Sequence, residues 1–369
     1  MKIAYFTDTY KPQINGVITS IDSFAEEMRN KGHEVTIVAP KSPNLKNKDK
    51  NIITVTSLKF RPYPDYRIAI PLKLKKKDFS DYDIIHVHTP SFLGLSGMRI
   101  AHKNKIPLIM TFHTNFSDYA HYVSKGAVVE KVMKKGILKY TKSFFNRADM
   151  IVTPTEEIKK QLRKQNIDTP ITVIPTGIDI TPLKETKKQL REKYKTHLDE
   201  KIILHVGRVT KEKNIEMILK AFQLIKNNNI KLIITSNGPY KKHLEKYIQK
   251  NKIENVIFTG YLSEQKLKEH YKMSDVFVMA SETETQGLVI LEALAQSLSV
   301  VVTDAPVISD FVKENEVGIV SKKNAKSLAK AIESAFSEKD FERRKETLNK
   351  FSSETCSKDM ISLYEKMIQ

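Results

Sequence analysis

Residues 201–222 read KIILHVGRVTKEKNIEMILKAF, in which an apolar run at 202–206 leads through a charged loop into a helical segment near 214–227. The same alternation continues downstream. Further strands are predicted at 231–235, 255–259, 275–279 and 299–303, and further helices at 239–250, 263–272, 287–297 and 324–336. Strands that alternate with helices in this way favour an open, mostly parallel sheet with helices on both faces.

The first half of the chain shows an equivalent series. Strands are predicted at 2–6, 34–39, 52–55, 84–88, 107–111 and 150–153, and helices near 17–31, 91–104, 127–147 and 155–165. Two such series in 369 residues predict an α/β protein with two doubly wound, Rossmann-like domains, which would face a central cleft. We place the domains at 1–178 and 179–350. Residues 351–369 are predicted to form an amphipathic helix that caps the second domain or crosses back to the first.

Composition excludes several classes of protein. Hydrophobic residues make up 40% and charged residues 28% of the chain, which excludes a disordered protein. One cysteine, Cys356, excludes an internal disulfide framework and a zinc finger. No stretch reaches the roughly 18–20 apolar residues of a membrane span, and the N-terminus lacks the pattern of a signal peptide. These features predict a cytoplasmic protein whose net charge of +19 is unusually high.

Ligands of open α/β sheets bind beyond the carboxyl ends of the strands, and this rule separates the candidate sites of the first domain. Asn15-Gly16 follows the first strand, and we expect it to turn with positive φ and let a ligand approach the next helix; an ordinary loop is the alternative. His113 follows the strand at 107–111 and is expected in the cleft, although a structural loop histidine gives the same pattern.

Two other groups in the first domain resemble metal sites but do not fit one. His86 and His88 share one face of a strand, and with no third ligand nearby the pair favours a core or strand-end position. Asp81 and Asp83 lie at the start of their strand, which is the wrong edge of the sheet for a metal-nucleotide. No metal site is therefore predicted.

The second domain carries two stronger motifs. Gly207-Arg208 and Lys213 follow the strand at 202–206, where an Arg fork and a Lys suit a diphosphate; two solvated cations are the alternative. Residues 281–293, SETETQGLVILEA, follow the strand at 275–279. Gly287 is expected to turn this chain into a helix whose free N–H groups face a phosphate.

Two carboxylates of that second motif suit sugar recognition. Glu284 would project from the loop, and Glu292 would lie about one and a half turns into the helix. Because a carboxylate accepts several hydrogen bonds, one of them could hold a transferred sugar and the other a ribose. A helix cap with a surface glutamate is the alternative.

Taken together, these motifs resemble the retaining GT-B glycosyltransferases of family four over essentially the whole chain. The spacing Glu284-x7-Glu292, followed by Ala293, is that family's most specific signature. Gly207-Arg208 with Lys213 resembles the family's donor-phosphate pair. His113 matches its active-site histidine, and Gly16 falls where its glycine loop closes over the donor.

The resemblance implies a role for each of these residues. Arg208 and Lys213 would neutralise the diphosphate leaving group, His113 would position the donor sugar and stabilise developing charge, and Glu284 and Glu292 would contact the sugar and the ribose. Backbone N–H groups would come from the following stretch: Thr285, Gln286, Gly287 and Leu288. No metal or cofactor is expected beside the nucleotide-sugar co-substrate, because the cations and a helix dipole supply the positive charge.

Two stretches are similar to a subgroup of that family, the bacterial diacylglycerol α-glucosyltransferases. They are residues 8–17, DTYKPQINGV, and residues 113–122, HTNFSDYAHY, which include Tyr119, His121 and Tyr122. Asn15-Gly16 replaces the Gly-Gly of many family members, and the subgroup shares this departure. Ser236-Asn237-Gly238-Pro239 replaces Gly-Asp-Gly-Pro, so donor recognition at Asn237 differs from the family pattern.

The charge distribution fits a lipid acceptor in the first domain. Residues 1–180 carry 29 Lys and Arg against 17 Asp and Glu, and residues 181–369 carry 33 against 26. The predicted helix at 127–147 combines one apolar side with a basic remainder, which suits an anionic membrane surface; a helix packed on its own sheet is the alternative. Its apolar side holds Val128, Val132, Met133, Gly136, Ile137, Tyr140 and Phe144, and its lysines are Lys131, Lys134, Lys135, Lys139 and Lys142.

The resemblance, together with the basic first domain, implies a cytoplasmic, peripherally membrane-bound enzyme that moves glucose from UDP-glucose to the 3-hydroxyl of 1,2-diacylglycerol with retention. The same fold with another donor or acceptor is one alternative, as in a phosphatidylinositol mannosyltransferase or an enzyme with a soluble acceptor. A sugar-nucleotide epimerase is another. A nucleic-acid-binding protein would also be basic, but no RNP or helix-turn-helix motif is found, so no specific nucleic acid is expected.

Overall fold

The computed structural model describes residues 1–42, 49–59, 67–114, 127–226, 229–337 and 342–369. The chain forms two compact units, one made of residues 1–177 and 353–369 and the other of residues 178–352. Tyr119, His121 and Tyr122, which carried part of the resemblance, lie outside the described residues.

Within the described residues, the first unit is built on a seven-stranded parallel sheet of order β3-β2-β1-β6-β7-β8-β9. Its strands are β1 (Lys2–Phe6), β2 (Glu34–Pro40), β3 (Ile52–Val55), β6 (Ile84–Val87), β7 (Leu108–Thr111), β8 (Met150–Thr153) and β9 (Ile171–Val173). A separate antiparallel pair joins β4 (Ser57–Lys59) to β5 (Arg67–Ala69). Its helices are α1 (Gly16–Asn30), α2 (Phe92–Asn104), α3 (Ala127–Phe145) and α4 (Glu156–Lys164), with a 3-10 turn at Pro71–Lys76.

The strand order reverses between β1 and β6, where Ile3 lies opposite both Val35 and Ile84. Strands that are buried on both faces are mostly apolar, and β6, which is buried at all four positions, carries three apolar residues beside His86. Carboxyl ends on either side of such a reversal diverge and leave a crevice for a ligand. The loops after β1 and β6 are therefore the ones that bear on function.

The last helix of the chain, α13 (Ser353–Ile368), belongs to the first unit. Its buried residues Met360, Leu363 and Tyr364 join the core formed by α1 and the central strands. At the start of the helix, the hydroxyl of Ser23 in α1 donates a hydrogen bond of 3.0 Å to the hydroxyl of Ser353. The C-terminal helix thus lies against the first of the two predicted domains.

The second unit holds, in its described part, a six-stranded parallel sheet of order β12-β11-β10-β13-β14-β15. Its strands are β10 (Lys201–His205), β11 (Ile230–Thr235), β12 (Val256–Gly260), β13 (Val276–Met279), β14 (Ser299–Thr303) and β15 (Ile319–Ser321). Its helices are α5 (Lys187–Lys193), α6 (Ile215–Phe222), α7 (Lys241–Lys250), α8 (Glu264–Met273), α9 (Leu288–Ala295), α10 (Ile308–Asn315), α11 (Ala325–Ala335) and α12 (Glu342–Lys350), and a 3-10 turn spans Lys211–Lys213. The order reverses between β10 and β13.

The predicted α/β class with two doubly wound sheets is confirmed, and the predicted strands match the observed ones within a few residues. The sequence pattern missed the helices α5, α10 and α12, of seven to nine residues, and the three-residue strands β4, β5, β9 and β15. Three residues do not establish a period of alternation, so these strands depend on contacts with their neighbours. Among the described residues, no helix combines the length and apolar character needed to cross a membrane.

Candidate functional site

Asp8 organises the loop that follows β1. It is buried, and it accepts hydrogen bonds from the N–H of Leu93 at 3.0 Å and from the hydroxyl of Thr89 at 2.8 Å. The side chain of Ser91, at the N-cap of α2, makes no capping hydrogen bond. The carboxylate of Asp8, in the loop after β1, instead accepts from the backbone N–H at the start of α2. Burial raises the pKa of Asp8 to about 6, although these hydrogen bonds oppose the shift.

Asn15 and Gly16 lie at the start of α1, but not in the predicted conformation. Asn15 is extended, with φ −162°, and Gly16 is the first helical residue rather than one with positive φ. The Asn15 side chain caps the helix by accepting hydrogen bonds of 3.1 Å from Val17 and Ile18. The expectation of a positive-φ turn was wrong because asparagine at this point acts through its side chain as an N-cap.

His113 follows β7, as predicted, and it belongs to a stack of three imidazole rings. His88 stacks on His113 with ring centres 5.2 Å apart and on His86 with centres 4.2 Å apart. The Nδ1 of His88 lies 2.9 Å from the Nε2 of His113. His86 is held by the hydroxyl groups of Thr111 and Tyr364. The two strand histidines therefore support His113 and lie in the core, as the sequence favoured.

Burial keeps these rings neutral. It lowers the pKa of His86 and His88 well below the ordinary histidine value, and it lowers the pKa of His113 to about 3. In the unfolded chain each ring takes up a proton near pH 6.5, whereas in the folded protein it does not. Stability that is present above pH 6.5 is therefore lost as the pH falls toward the folded pKa values.

We expect the free energy of unfolding of the first unit to fall by about 1.4 kcal/mol per pH unit below pH 6 for each fully buried histidine. Urea unfolding at pH 7.5, 6.0 and 5.0, followed through the methyl resonance of buried Met28, measures this slope. His88→Asn removes one of these titrating groups and should reduce the slope. His102→Asn, an exposed histidine of the same unit, should not. Equal slopes in the two variants would contradict the assignment.

In the second unit, the loop after β10 carries the two predicted cations. The guanidinium of Arg208 lies 4.0 Å from the carboxylate of Glu212, and Lys213 ends the 3-10 turn. Beneath them lies the ring of His205, which is buried and donates from Nδ1 to the carbonyl of Val278 at 3.0 Å. Burial lowers the pKa of His205 to about 4, so the ring is neutral and adds no charge to this cationic loop.

Glu284 meets Lys213. The lysine Nζ forms an ion pair with Glu284 Oε1, and both side chains are largely buried. The two loops are also joined along the backbone, because the N–H of Glu282 donates to the carbonyl of Glu212 at 3.1 Å. The first carboxylate of the signature and the lysine, which are 71 residues apart in sequence, are thus direct partners.

Gly287 turns the chain into α9, as predicted. Its φ of +81° is one that side-chain-bearing residues rarely adopt, and a Cβ there would lie 3.2 Å from Ile308. The first N–H groups of a helix have no partner within the helix and attract anions. Around this turn, Gln286 is buried, while Thr285 and Leu288 are half-buried. The turn therefore presents backbone donors near the ion pair.

Glu292 lies in the second turn of α9, and a residue of the neighbouring helix α8 holds its carboxylate. The hydroxyl of Tyr271 in α8 donates to Glu292 Oε2 at 2.8 Å. Burial raises the pKa of Glu292, and the hydrogen bond from Tyr271 counteracts part of this shift. Tyr271 is fully buried, so it fixes the orientation of the carboxylate.

Asn237 is exposed and lies beside the cationic loop. Its side chain accepts a hydrogen bond of 2.9 Å from Gly238, and its carbonyl accepts one of 3.0 Å from Val209. A Cβ on Gly238 would lie 2.2 Å from the carbonyl oxygen of Val209, so glycine is required for the two loops to touch. Asn237 is thus placed next to Arg208 through the backbone of Val209.

The helix α3 exposes a face with two adjoining rows of residues. Lys131, Lys135 and Lys139 are exposed along one row. The neighbouring row exposes apolar groups, namely Val129, Val132 and Tyr140, at 50%, 65% and 43%. Four of the predicted residues are half-buried, namely Lys134, Lys142, Met133 and Ile137, and Phe144 is buried. The side chain of Val128 lies outside the described residues. Part of the helix therefore packs on its own unit, and a strip of basic and apolar side chains is exposed.

Four contacts of the site were not predicted from the sequence. They involve Asp8, His88, His205 and Tyr271, and each depends on a partner from another element. Asp8 offered one local signal, since an acidic residue directly after an apolar strand lies at the ligand-binding edge of the sheet. Nothing local distinguishes Tyr271 from the other aromatic residues of the core.

Comparison with known proteins agrees with this geometry. Residues 14–182 match the family described as Glycosyltransferase Family 4, and residues 186–353 match Glycosyl transferases group 1. Over 331 residues the chain is 33% identical to the alpha-monoglucosyldiacylglycerol synthase of Streptococcus pneumoniae, which covers 86% of this chain and 74% of that protein. The synthase of the same name from Acholeplasma laidlawii is 32% identical, covering 88% of this chain and 85% of that one.

A solved structure also shares the fold. The Anabaena protein HepE in complex with UDP-glucose superposes with a TM-score of 0.81, 16% identity, and coverage of 99% of this chain and 100% of that chain.

Proposed function

The chain belongs to the family-four glycosyltransferases, and from that premise we propose that it transfers glucose from UDP-glucose to the 3-hydroxyl of 1,2-diacylglycerol with retention of configuration. The observation that carries the proposal is the Lys213–Glu284 ion pair beside Arg208 at the carboxyl edge of the second sheet. In this proposal Lys213 is the cation for a diphosphate, and Glu284 beside it is the carboxylate for a hexose. The name shared by the two bacterial relatives supports the choice of glucose and diacylglycerol.

The charge of the leaving group determines which residues act on the donor. A diphosphate that leaves the sugar gains negative charge, and Arg208, Lys213 and the N-terminus of α9 would stabilise it. Glu284 would exchange Lys213 for hydroxyl groups of the hexose, and Glu292 would accept hydrogen bonds from the ribose. These groups supply the stabilising charge from the chain itself, so we propose transfer that needs no metal.

We propose that transfer occurs on one face of the sugar. The bond from the anomeric carbon to the phosphate oxygen breaks, and the bond to the oxygen of the diacylglycerol hydroxyl forms on the same side. The proton of that hydroxyl passes to the departing phosphate oxygen, so the chain need not supply a base. His113, neutral at physiological pH because of its burial, would position the hexose and stabilise developing charge rather than act as a nucleophile.

The lipid acceptor requires contact with a membrane, and α3 suits such contact. Its exposed Val129 and Val132 could insert among acyl chains while Lys131, Lys135 and Lys139 contact anionic headgroups, and Tyr140 beside them donates to the carbonyl of Pro90 in its own unit. Each lysine near an anionic surface contributes about 1 kcal/mol, an interaction that salt screens. We therefore propose a peripheral association with the cytoplasmic face of the cell membrane.

The variant Lys135→Gln/Lys139→Gln should bind vesicles containing anionic lipid about 30-fold more weakly, which corresponds to the loss of roughly 2 kcal/mol. Co-sedimentation with vesicles at low salt measures the change. Lys322→Gln/Lys323→Gln removes the same charge from exposed positions of the second unit and should bind as the unchanged protein does. Equal weakening in both variants would mean that net charge, not this face of α3, determines binding.

The reaction is tested by measuring UDP release with diacylglycerol in anionic vesicles. UDP-glucose should give rapid release that depends on diacylglycerol, and GDP-mannose should not. Release that is faster with GDP-mannose, or that occurs with a soluble acceptor alone, would replace the proposed donor or acceptor. Conversion of the sugar nucleotide into its epimer without any acceptor would indicate an epimerase. Tight binding of nucleic acid without sugar transfer would indicate a nucleic-acid-binding protein.

A further inference from the structure

The His88 ring joins His113 to the core of the first unit, and it has two distinct nitrogen atoms. Its Nδ1 lies 2.9 Å from the Nε2 of His113. Its Nε2 is buried, and no described residue forms a hydrogen bond with it. Tyr5 packs against the same ring edge-on, with ring centres 4.7 Å apart. The two nitrogens of His88 are therefore in unequal surroundings.

These surroundings determine which ring donates. Desolvation lowers the pKa of both rings and keeps them neutral, so only one hydrogen lies between Nδ1 of His88 and Nε2 of half-buried His113. If His113 donated that hydrogen, His88 would carry its own on Nε2, as a buried N–H without an acceptor among the described residues. A buried N–H without a partner is rarer and less favourable than a bare acceptor. His88 is therefore the donor.

We propose that His88 is a positioning residue for His113: by donating from Nδ1 it fixes the His113 ring and keeps the hydrogen of His113 on Nδ1. This inference rests on the proposed function, in which His113 holds the hexose. In this tautomer His113 approaches an oxygen of the sugar as a hydrogen-bond donor, not as an acceptor. The opposite tautomer would present a lone pair, which could only accept a hydrogen bond from a sugar hydroxyl.

The C-terminal helix completes the support. The Tyr364 hydroxyl contacts His86 Nδ1 and donates to the Tyr5 hydroxyl at 3.1 Å, and Tyr5 donates to the sulfur of Met28 at 3.2 Å. Because the Tyr364 hydroxyl gives its hydrogen to Tyr5, it can only accept from His86. His86 therefore carries its hydrogen on Nδ1, and its bare Nε2 accepts from the Thr111 hydroxyl. The His86 ring is thus locked, and His88 stacks on it with an interplanar angle of 23°.

The tautomer is measured directly on the full chain with nitrogen-15 in its histidines. Long-range nitrogen–hydrogen correlation spectra without substrate should show His113 protonated on Nδ1 and bare on Nε2. Protonation of His113 on Nε2 would overturn the proposal. This measurement involves no turnover, so its outcome is independent of whether glucose and diacylglycerol are the substrates.

Three variants separate positioning from folding. His88→Leu removes the donor and should lower kcat about 10- to 100-fold, as losses of supporting hydrogen bonds do, with little change in KM for the donor. His88→Asn places an amide N–H near the position of Nδ1 and should recover most of the loss and the His113 tautomer. His88→Gln extends its amide toward the position of Nε2 and should not. Equal activity in the three variants would overturn the proposal. An unchanged His113 tautomer in His88→Leu would also overturn it.

Discussion

Glu284→Gln is expected to lower kcat about 100- to 1000-fold while UDP binds at least as tightly as it does to the unchanged protein. The amide keeps the shape of the side chain but loses the charge that now pairs with Lys213. In the proposed function this carboxylate competes with a diphosphate for the lysine in the free protein, so its removal should favour UDP. The same carboxylate is proposed to bind the hexose during transfer, so its removal should slow the reaction. Transfer rates and calorimetric titration with UDP measure the two effects.

A neighbouring glutamate provides the matched control. Glu282 lies two residues before Glu284 on the same loop, and its side chain is exposed. Glu282→Gln removes the same charge and should leave both kcat and UDP affinity nearly unchanged. If Glu284→Gln retained full turnover, or weakened UDP as much as transfer, the role assigned to the ion pair would be wrong.

The largest effect on stability is expected at Arg191. Its guanidinium is 2% exposed, and it donates to Asp275 Oδ2 at 2.7 Å and to the carbonyl of Met273 at 3.0 Å. It also donates to three carbonyls of the loop before β10, those of His197, Leu198 and Glu200. Arg191→Leu removes one of the donors of the Asp275 carboxylate and leaves these four carbonyls without the guanidinium that links them. The free energy of unfolding of the second unit should fall by about 4 kcal/mol, and its melting temperature by about 10 °C.

A variant of Lys187 separates the contribution of the Arg191 hydrogen-bond network from that of an ion pair with Asp275. It binds the other oxygen of Asp275 at 2.6 Å, but its side chain is 41% exposed. Lys187→Gln should therefore cost about 1 kcal/mol or less. Differential scanning calorimetry compares the unfolding of the second unit in the two variants. Similar losses in both would show that the charge of Asp275, not the buried fork of Arg191, determines stability.

The sequence predicted the sheets well for a physical reason. Strands buried on both faces are mostly apolar, so the runs at 202–206 and 299–303, in which three or four of five residues are aliphatic, stand out without any alignment. The helix start at Gly287 was equally predictable, because only glycine favours its φ. Such features depend on neighbours in sequence and are visible in a short window.

Contacts between distant elements could not be predicted in this way. His86 and Tyr364 are 278 residues apart, and neither residue has a local pattern that names the other. The motif at 281–293 gave the positions of Glu284 and Glu292, but not the partner of either carboxylate. The partners Lys213 and Tyr271 depend on which strands lie side by side, and this order is set by the whole sheet. Asn15 shows the reverse error, since a local capping role was interpreted as a backbone turn.

The central claim is tested most directly by the structure of the lipid product. The protein would be incubated with carbon-13-labelled UDP-glucose and 1,2-diacylglycerol in anionic vesicles, and the extracted lipid would be analysed by NMR. The account predicts labelled glucose joined through an α-linkage to the 3-hydroxyl of the glycerol. A β-linked glucolipid, or label found only as free glucose or unchanged UDP-glucose while the protein binds UDP, would contradict it.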